Sequence, residues 1–139
     1  MHIRPYRAAD TEAVIALWEA CDLTRPWNDP RADIARKLAD SPELLLVGEE
    51  EGRVVGTVMA GYDGHRGWIN YLAVAPASRA RGLGRALMDA AEERLAALGC
   101  AKINLQVREG NDAARAFYEA IGYRLEPIVS YGKRLVSDE

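Results

Sequence analysis

Apolar residues along the chain alternate between two periods, and each change of period marks an element boundary. After a short opening strand, His2 to Tyr6, the residues Val14, Leu17, Trp18 and Cys21 recur on one face of a helix that Asp10 can cap. The stretch Leu23-Thr24-Arg25-Pro26-Trp27-Asn28-Asp29-Pro30 breaks that pattern. Asp29 as cap and Pro30 at the first helical position then start a second helix, ending near Ser41-Pro42. An aromatic, charged loop is therefore expected between two short helices. Leu44 to Glu49 and Arg53 to Gly61 are apolar, β-branched runs separated by Glu50-Glu51-Gly52, the pattern of a hairpin. A turn at Asp63-Gly64 leads into a third antiparallel strand, Trp68 to Val74.

From Gly84 to Leu98 the period is helical again, with Leu87, Ala91, Leu95 and Leu98 on one side and Gly99 as the stop. Lys102 to Val107 alternates strictly, sending Ile103, Leu105 and Val107 one way and Asn104 and Gln106 the other. Asn111 caps a last helix that presents Ala114, Phe117, Tyr118 and Ile121 on one face and closes at Gly122; strand pieces are expected from Tyr123 onward. The order β-α-α-β-β-β-α-β-α-β-β predicts an α/β (α+β) domain, a mixed and largely antiparallel sheet flanked by helices.

Length and composition narrow this picture. The 139 residues suit one domain spanning 1–139, and 49% hydrophobic with 28% charged residues is the composition of an ordinary globular protein. Lys+Arg 18 against Asp+Glu 21 leaves a net charge of -3, so no global positive field draws the chain to nucleic acid or to an anionic membrane. Any anion must be bound locally. The start, Met1-His2-Ile3-Arg4-Pro5-Tyr6, lacks the apolar run of a signal peptide and no membrane-length apolar stretch follows, so a cytoplasmic location is expected. Cys21 and Cys100 lack metal-ligand spacing and read as reduced packing thiols, with no metal expected.

The most informative stretch runs strand, loop, helix, from Ile69 to Leu87. Gly82 and Gly84 let backbone approach a ligand without a Cβ in the way, and the unpaired N–H groups of the helix's first turn point toward any anion placed there. Arg79, Arg81 and Arg85 add positive charge at the same place, as a pyrophosphate site needs. The NTPase P-loop is excluded because no Gly-Lys-Ser or Gly-Lys-Thr closes the turn. A dinucleotide fingerprint fails at Leu87, where it needs Gly or Ala, and at Asn104, where it needs an acid. Taken alone, a plain glycine- and arginine-rich turn is an equal reading.

Here the chain resembles the GNAT superfamily of N-acetyltransferases, whose signature of Arg or Gln, two residues, Gly, one residue, then Gly or Ala is matched by Arg79-Ala80-Arg81-Gly82-Leu83-Gly84. The resemblance extends from Ile3-Arg4 through Leu72-Ala73-Val74-Ala75-Pro76 to Asn111, Tyr118 and Gly122-Tyr123. Arg25 to Pro30 and Gly61 to Gly67 also look like the small bacterial YpeA group of that superfamily. The resemblance implies a sheet of six to seven strands with about four helices and a splayed fourth and fifth strand pair. It implies acetyl-CoA as cofactor, bound by Leu72, Ala73 and Val74 on the fourth strand, by Arg79, Ala80, Arg81, Gly82, Leu83, Gly84 and Arg85 in the turn, and by Asn111 and Tyr118. A homodimer is compatible with it.

By the same resemblance Tyr118 is the acid that protonates the departing thiolate, although its stripe with Phe117 and Ile121 also suits a core aromatic. An attacking amine must first lose a proton. Relatives often place a glutamate for this where Asn70 and Gln106 stand, so the base is left among Asp63, His65, Glu49 or a water relay from the two amides. Arg25, Trp27, Asn28 and Asp29, with Asn70, offer an aromatic wall and charges of both signs for an amine of a small molecule or peptide. Trp27 plugging the core edge and Asp29 merely capping a helix are the plainer alternatives. An N-acetyltransferase is the leading expectation, ahead of a non-catalytic acyl-CoA-binding module and of a purely structural α/β domain.

Overall fold

The computed structural model describes residues 1 to 137. Five strands, β1 (His2–Pro5), β2 (Leu45–Glu50), β3 (Arg53–Tyr62), β4 (Gly67–Val74) and β5 (Ile103–Leu105), lie side by side in chain order. The first four pair antiparallel and β5 joins β4 in parallel. Parallel neighbours need a crossover, and α3 (Leu83–Ala97) supplies it. Helices α1 (Thr11–Ala20) and α2 (Pro30–Asp40) precede the hairpin, and α4 (Asp112–Ala120) follows β5.

The sheet has a core on each face. Leu46, Val58, Ala60 and Ile69 pack against Leu87, Met88, Ala91 and Leu95 of α3 on one side. Val47 and Ala73 pack against Val14, Ile15, Leu17 and Trp18 of α1 and Ile34 of α2 on the other. Lys37 of α2 is buried against the sheet, where its ammonium donates to the Ala60 carbonyl beyond the end of β2; burial lowers its pKa. Among the described residues no helix is long and apolar enough to cross a membrane.

Two expectations are corrected. Asp10 precedes α1 but does not cap it with its side chain. Its carboxylate instead takes two bonds from the buried Arg4 guanidinium, at 2.8 and 2.9 Å, and one from the Arg7 N–H at 2.8 Å. A bidentate charged partner outweighs a single cap bond, and the pair ties β1 to the chain before α1.

The six to seven strands expected are five among the described residues, because the chain after α4 forms no ladder. Pro127 lacks a donor in the middle of that run, and Leu125, Val129 and Tyr131 remain 78%, 81% and 94% exposed, with no face to bury against. Among the described residues, this segment hydrogen-bonds to β5 and its flanking positions through side chains. Lys102 and Asn104 reach Glu126, and Gln106 reaches Ser130.

Candidate active site

The β4–β5 ladder is short. Gly67, Trp68 and Ile69 pair with Ile103, Asn104 and Leu105, and past Ile69 no pairing joins the two strands, while β4 continues to Val74 against β3. Leu72, Ala73 and Val74 therefore lie on a strand edge that opens inside the sheet, where an extended ligand can pair as an added strand. The opening begins at a bulge: Met59 faces Asn70 and Thr57 faces Ala73, so Tyr71 and Leu72 together oppose Val58.

Tyr71 pays for this with a left-handed backbone, φ 51, which costs about 1 kcal/mol or more for a side-chain-bearing residue. Four contacts hold it there. Its ring stacks on Trp18 at 3.8 Å and 13°, and its carbonyl accepts from Thr57 Oγ1 at 2.9 Å. Its hydroxyl donates to Asp33 Oδ2 at 2.6 Å and accepts from Asn28 Nδ2 at 3.2 Å. Trp18 Nε1 donates in turn to Thr57 Oγ1 at 2.9 Å. Burial first, then the bond to Asp33, raises the Tyr71 pKa, so the phenol stays a donor at neutral pH.

The glycine turn follows directly. Ala80 and Gly82 are left-handed, with φ 64 and 78, and Gly82 is the N-cap of α3. Lacking a side chain, it caps nothing, and the first bond into the helix is Ala86 N–H to the Gly82 carbonyl at 3.1 Å. The N–H groups of Leu83, Gly84 and Arg85 are thus left to an external acceptor. The two glycines serve different ends. A Cβ on Gly82 would meet nothing within 4 Å, so space above the turn is clear; a Cβ on Gly84 would lie 3.3 Å from the Phe117 ring and 3.8 Å from Val74. Gly84 is where α3, α4 and the end of β4 meet. An uncapped helix start beside an open strand edge fits a phosphorylated ligand with an extended arm.

The three arginines of the turn do not act alike. Arg79 bends back to the end of β4, its Nε 3.1 Å from the Val74 carbonyl and its Nη2 3.4 Å from Cys21 Sγ. Arg81 pairs with both carboxylate oxygens of Glu50, at 3.2 and 2.9 Å, and Arg85 is exposed. Part of the positive charge expected here is therefore offset.

On α4, Asn111 caps the helix by accepting from the Ala114 N–H at 3.1 Å. Tyr118 is half-buried, edge-on to Phe117 at 5.2 Å and to Tyr123 at 5.8 Å, on the side of the core that also holds Leu72, Val74 and Leu105. Burial pushes its phenol up to about 12, so it keeps its proton at neutral pH.

Across the opening, the α1–α2 loop forms a bridge. Asn28 bonds to Tyr71 on the β4 bulge, and Trp27 lies under the Arg108 guanidinium, 6.0 Å from its ring centroid, just beyond β5. The loop thus spans both strands where they part. Trp27 is 45% exposed and lines a cleft of about 590 Å³ with Arg36 and residues 132 to 136. Asn70 is exposed on β4. Arg25 holds the loop itself, donating to the Asp22 and Thr24 carbonyls at 2.8 Å each, and Asp29 caps α2 through the Arg31 N–H at 2.9 Å.

The family model for the acetyltransferase (GNAT) family matches residues 12–123. A curated acetyltransferase of Pectobacterium atrosepticum is 54% identical over 138 residues, covering 99% of this chain and 98% of its own. This chain belongs to the GNAT family of acetyltransferases. Among solved structures, Ard1 from Thermoplasma volcanium superposes with a TM-score of 0.76 at 25% identity, over 90% of this chain and 83% of that one. The fold is also that of AAC(6')-Iy, solved with the bisubstrate analogue CoA-S-monomethyl-acetylneamine, with a TM-score of 0.74 at 19% identity, over 96% and 97% of the two chains.

Within this GNAT fold the carboxylates singled out from the sequence are already occupied. Asp63 accepts from the His65 and Arg66 N–H groups at 2.8 and 2.7 Å and from Trp68 Nε1 at 3.2 Å, which holds it below the ordinary range. Glu49 receives Arg4 at 3.0 Å on the far side of the sheet, and His65 is exposed in its turn. Sequence reasoning missed Tyr71, Asp33 and Glu126. Asp33 gathers Tyr71, Asn28 at 2.5 Å and Arg36 at 3.0 Å, and Glu126 is held below its ordinary range by Lys102 and then by Asn104. Nothing local in the sequence separates either from a solvated surface acid.

Proposed function

We propose that this protein is an acetyl-CoA-dependent N-acetyltransferase that acetylates a primary amine of a small molecule or peptide by direct attack in a ternary complex. The observation that carries the reading is one juxtaposition: the strand edge opened past Ile69 runs straight into the uncapped start of α3, with α4 packed on that junction through Phe117. Membership of the GNAT family and the fold shared with a protein solved on a CoA bisubstrate analogue support it.

A bound acyl-CoA would supply a thioester carbonyl as electrophile. The first-turn N–H groups at Leu83, Gly84 and Arg85 would hold the pyrophosphate, and the open edge at Leu72, Ala73 and Val74 would pair with the extended arm. A backbone N–H near Leu72 or Ala73, fixed by the bulge, would stabilise the oxyanion, a contribution of about 3 kcal/mol to the barrier. Tyr118, kept protonated by burial, would supply its Oη proton to the leaving sulfur. Asn70 and Gln106 are amides and cannot serve as bases, so the amine proton would leave through water, which Asn70, exposed on β4, would orient.

Calorimetric titration with acetyl-CoA, on the wild type and on Gly82→Glu, tests the cofactor site; an amine screen read by thiol release then tests transfer. Micromolar binding abolished by the substitution, followed by amine-dependent thiol release, is the expected result. No binding to folded wild type overturns the reading, and binding without transfer to any amine leaves an acyl-CoA-binding module.

A further inference from the structure

Thr57 of β3 is a fully buried polar side chain on the sheet face covered by α1. Its Oγ1 accepts from Trp18 Nε1 at 2.9 Å and donates to the Tyr71 carbonyl at 2.9 Å. The direction of this chain is forced: an indole nitrogen can only donate, so the Thr57 hydroxyl must turn its own proton to the carbonyl. The peptide joining Tyr71 to Leu72 is trans, and in a trans peptide the carbonyl and the following N–H point opposite ways. With the Tyr71 carbonyl held on Thr57, the Leu72 N–H points away from β3, into the gap that β5 leaves past Ile69. The ladder gives the same direction independently. Ala75 donates to the Val55 carbonyl at 2.8 Å and Ala73 faces Thr57, so the backbone groups of 73 and 75 turn toward β3 and those of Leu72 and Val74 toward the gap.

Resting on the acetyltransferase reading, we propose that Thr57 is a positioning residue for catalysis: by holding the Tyr71 carbonyl it aims the Leu72 N–H at the oxygen of the bound thioester. Negative charge develops on that oxygen as the amine adds, and a donor stabilises it best when its direction is already fixed. Valine would fill the same space in a buried strand position, so the Thr57 hydroxyl is present for its bonds and not for its shape. Trp18, Thr57 and the Tyr71–Leu72 peptide thus connect the core under α1 to the open edge of β4.

The first test needs no variant. In protein carrying isotopically labelled leucine, acetyl-CoA is expected to move the Leu72 amide proton downfield relative to CoA, which has no thioester carbonyl. The second compares Thr57→Val, which keeps the shape and removes the hydroxyl, with Thr57→Ser, which keeps the hydroxyl and removes a buried methyl. Both should unfold at a lower temperature, one through unpaired polar groups and the other through a small cavity. Only Thr57→Val should move the isotope-edited carbonyl band of bound acetyl-CoA to higher frequency. With an amine found by the thiol-release screen, it should also lower kcat about tenfold or more at nearly unchanged acceptor KM and acetyl-CoA affinity. A merely structural Thr57 would shift both unfolding temperatures and leave the band and kcat alone. Equal loss of kcat in the two variants, or unchanged kcat in Thr57→Val, overturns the proposal. So does an unmoved Leu72 amide in the acetyl-CoA-bound wild type, a result that stands even where Thr57→Val does not fold. Folded wild type that binds no acetyl-CoA, or binds it and releases no thiol with any amine, fails the acetyltransferase reading and this role with it; binding and thiol release with an unmoved amide fail this role alone.

Discussion

On the α3 side of the opening between β4 and β5, the groups free to meet a ligand belong to the main chain: the first-turn N–H groups of α3 and the open edge of β4. On the α1–α2 side they are side chains, Trp27, Asn28, Arg36, Arg108 and Lys133, delivered by segments far apart in sequence. Backbone donors at a helix start are set by local conformation and tolerate many neighbours. Side chains meeting across a cleft depend on every element that carries them. Under the proposed reading, the half that would hold the constant cofactor is built from the invariant part of the polypeptide, and the half that would choose an acceptor is built from the variable part.

If that division is right, the largest effect comes from spoiling the main-chain side. Gly82→Glu puts a carboxylate where an anion belongs and a Cβ on a left-handed residue, and acetyl-CoA affinity should fall by about a hundredfold or more by calorimetry. Gly82→Asn tolerates the same φ and should bind far better than the glutamate variant, which separates charge from strain. Next is Tyr118→Phe, expected to lower kcat about a hundredfold with acetyl-CoA affinity nearly unchanged. Because burial holds this phenol near 12, it loses its proton only as pH rises toward that value, and kcat should show no Tyr118-dependent decline between neutral pH and 10.

Tyr71→Phe tests the seam between the halves. It keeps the stack on Trp18 but removes the bonds to Asp33 and Asn28, so stability should fall by about 1 kcal/mol, and acceptor KM should rise several-fold with acetyl-CoA affinity little changed. A change confined to cofactor affinity would erase the division. The smallest effect is expected from Glu50→Gln, which releases Arg81 from an exposed ion pair. Acetyl-CoA should then bind up to about fivefold more tightly, the gain shrinking in high salt.

The elements that proved legible were those whose cues are local. Asp29 and Asn111 cap α2 and α4 through their side chains, and the β2–β3 hairpin turns at Glu51-Gly52 with φ of 50 and 76. The capping motif at Asp10 misled because its best partner, Arg4, comes from β1 and offers two charged bonds where a helix start offers one. Strand pieces are expected from Tyr123 onward, but a strand needs a donor at each ladder position and a face to bury, and Pro127 and the exposed apolar residues around it provide neither.

By itself, then, the sequence determined the order of helices and strands as far as α4, the glycine turn that leaves α3 uncapped, and the absence of a global field toward nucleic acid. All of these follow from interactions within a few residues or from composition alone. Only the tertiary structure decided where β4 parts from β5, that Tyr71 is clamped in a strained bulge, that Glu50 sits on Arg81, and that Arg108 lies over Trp27. Each of these depends on partners such as Tyr71 and Asp33, separated by 38 positions, or Trp18 and Thr57, separated by 39. A sequence specifies such pairs only through the fold that brings them within a hydrogen bond of one another.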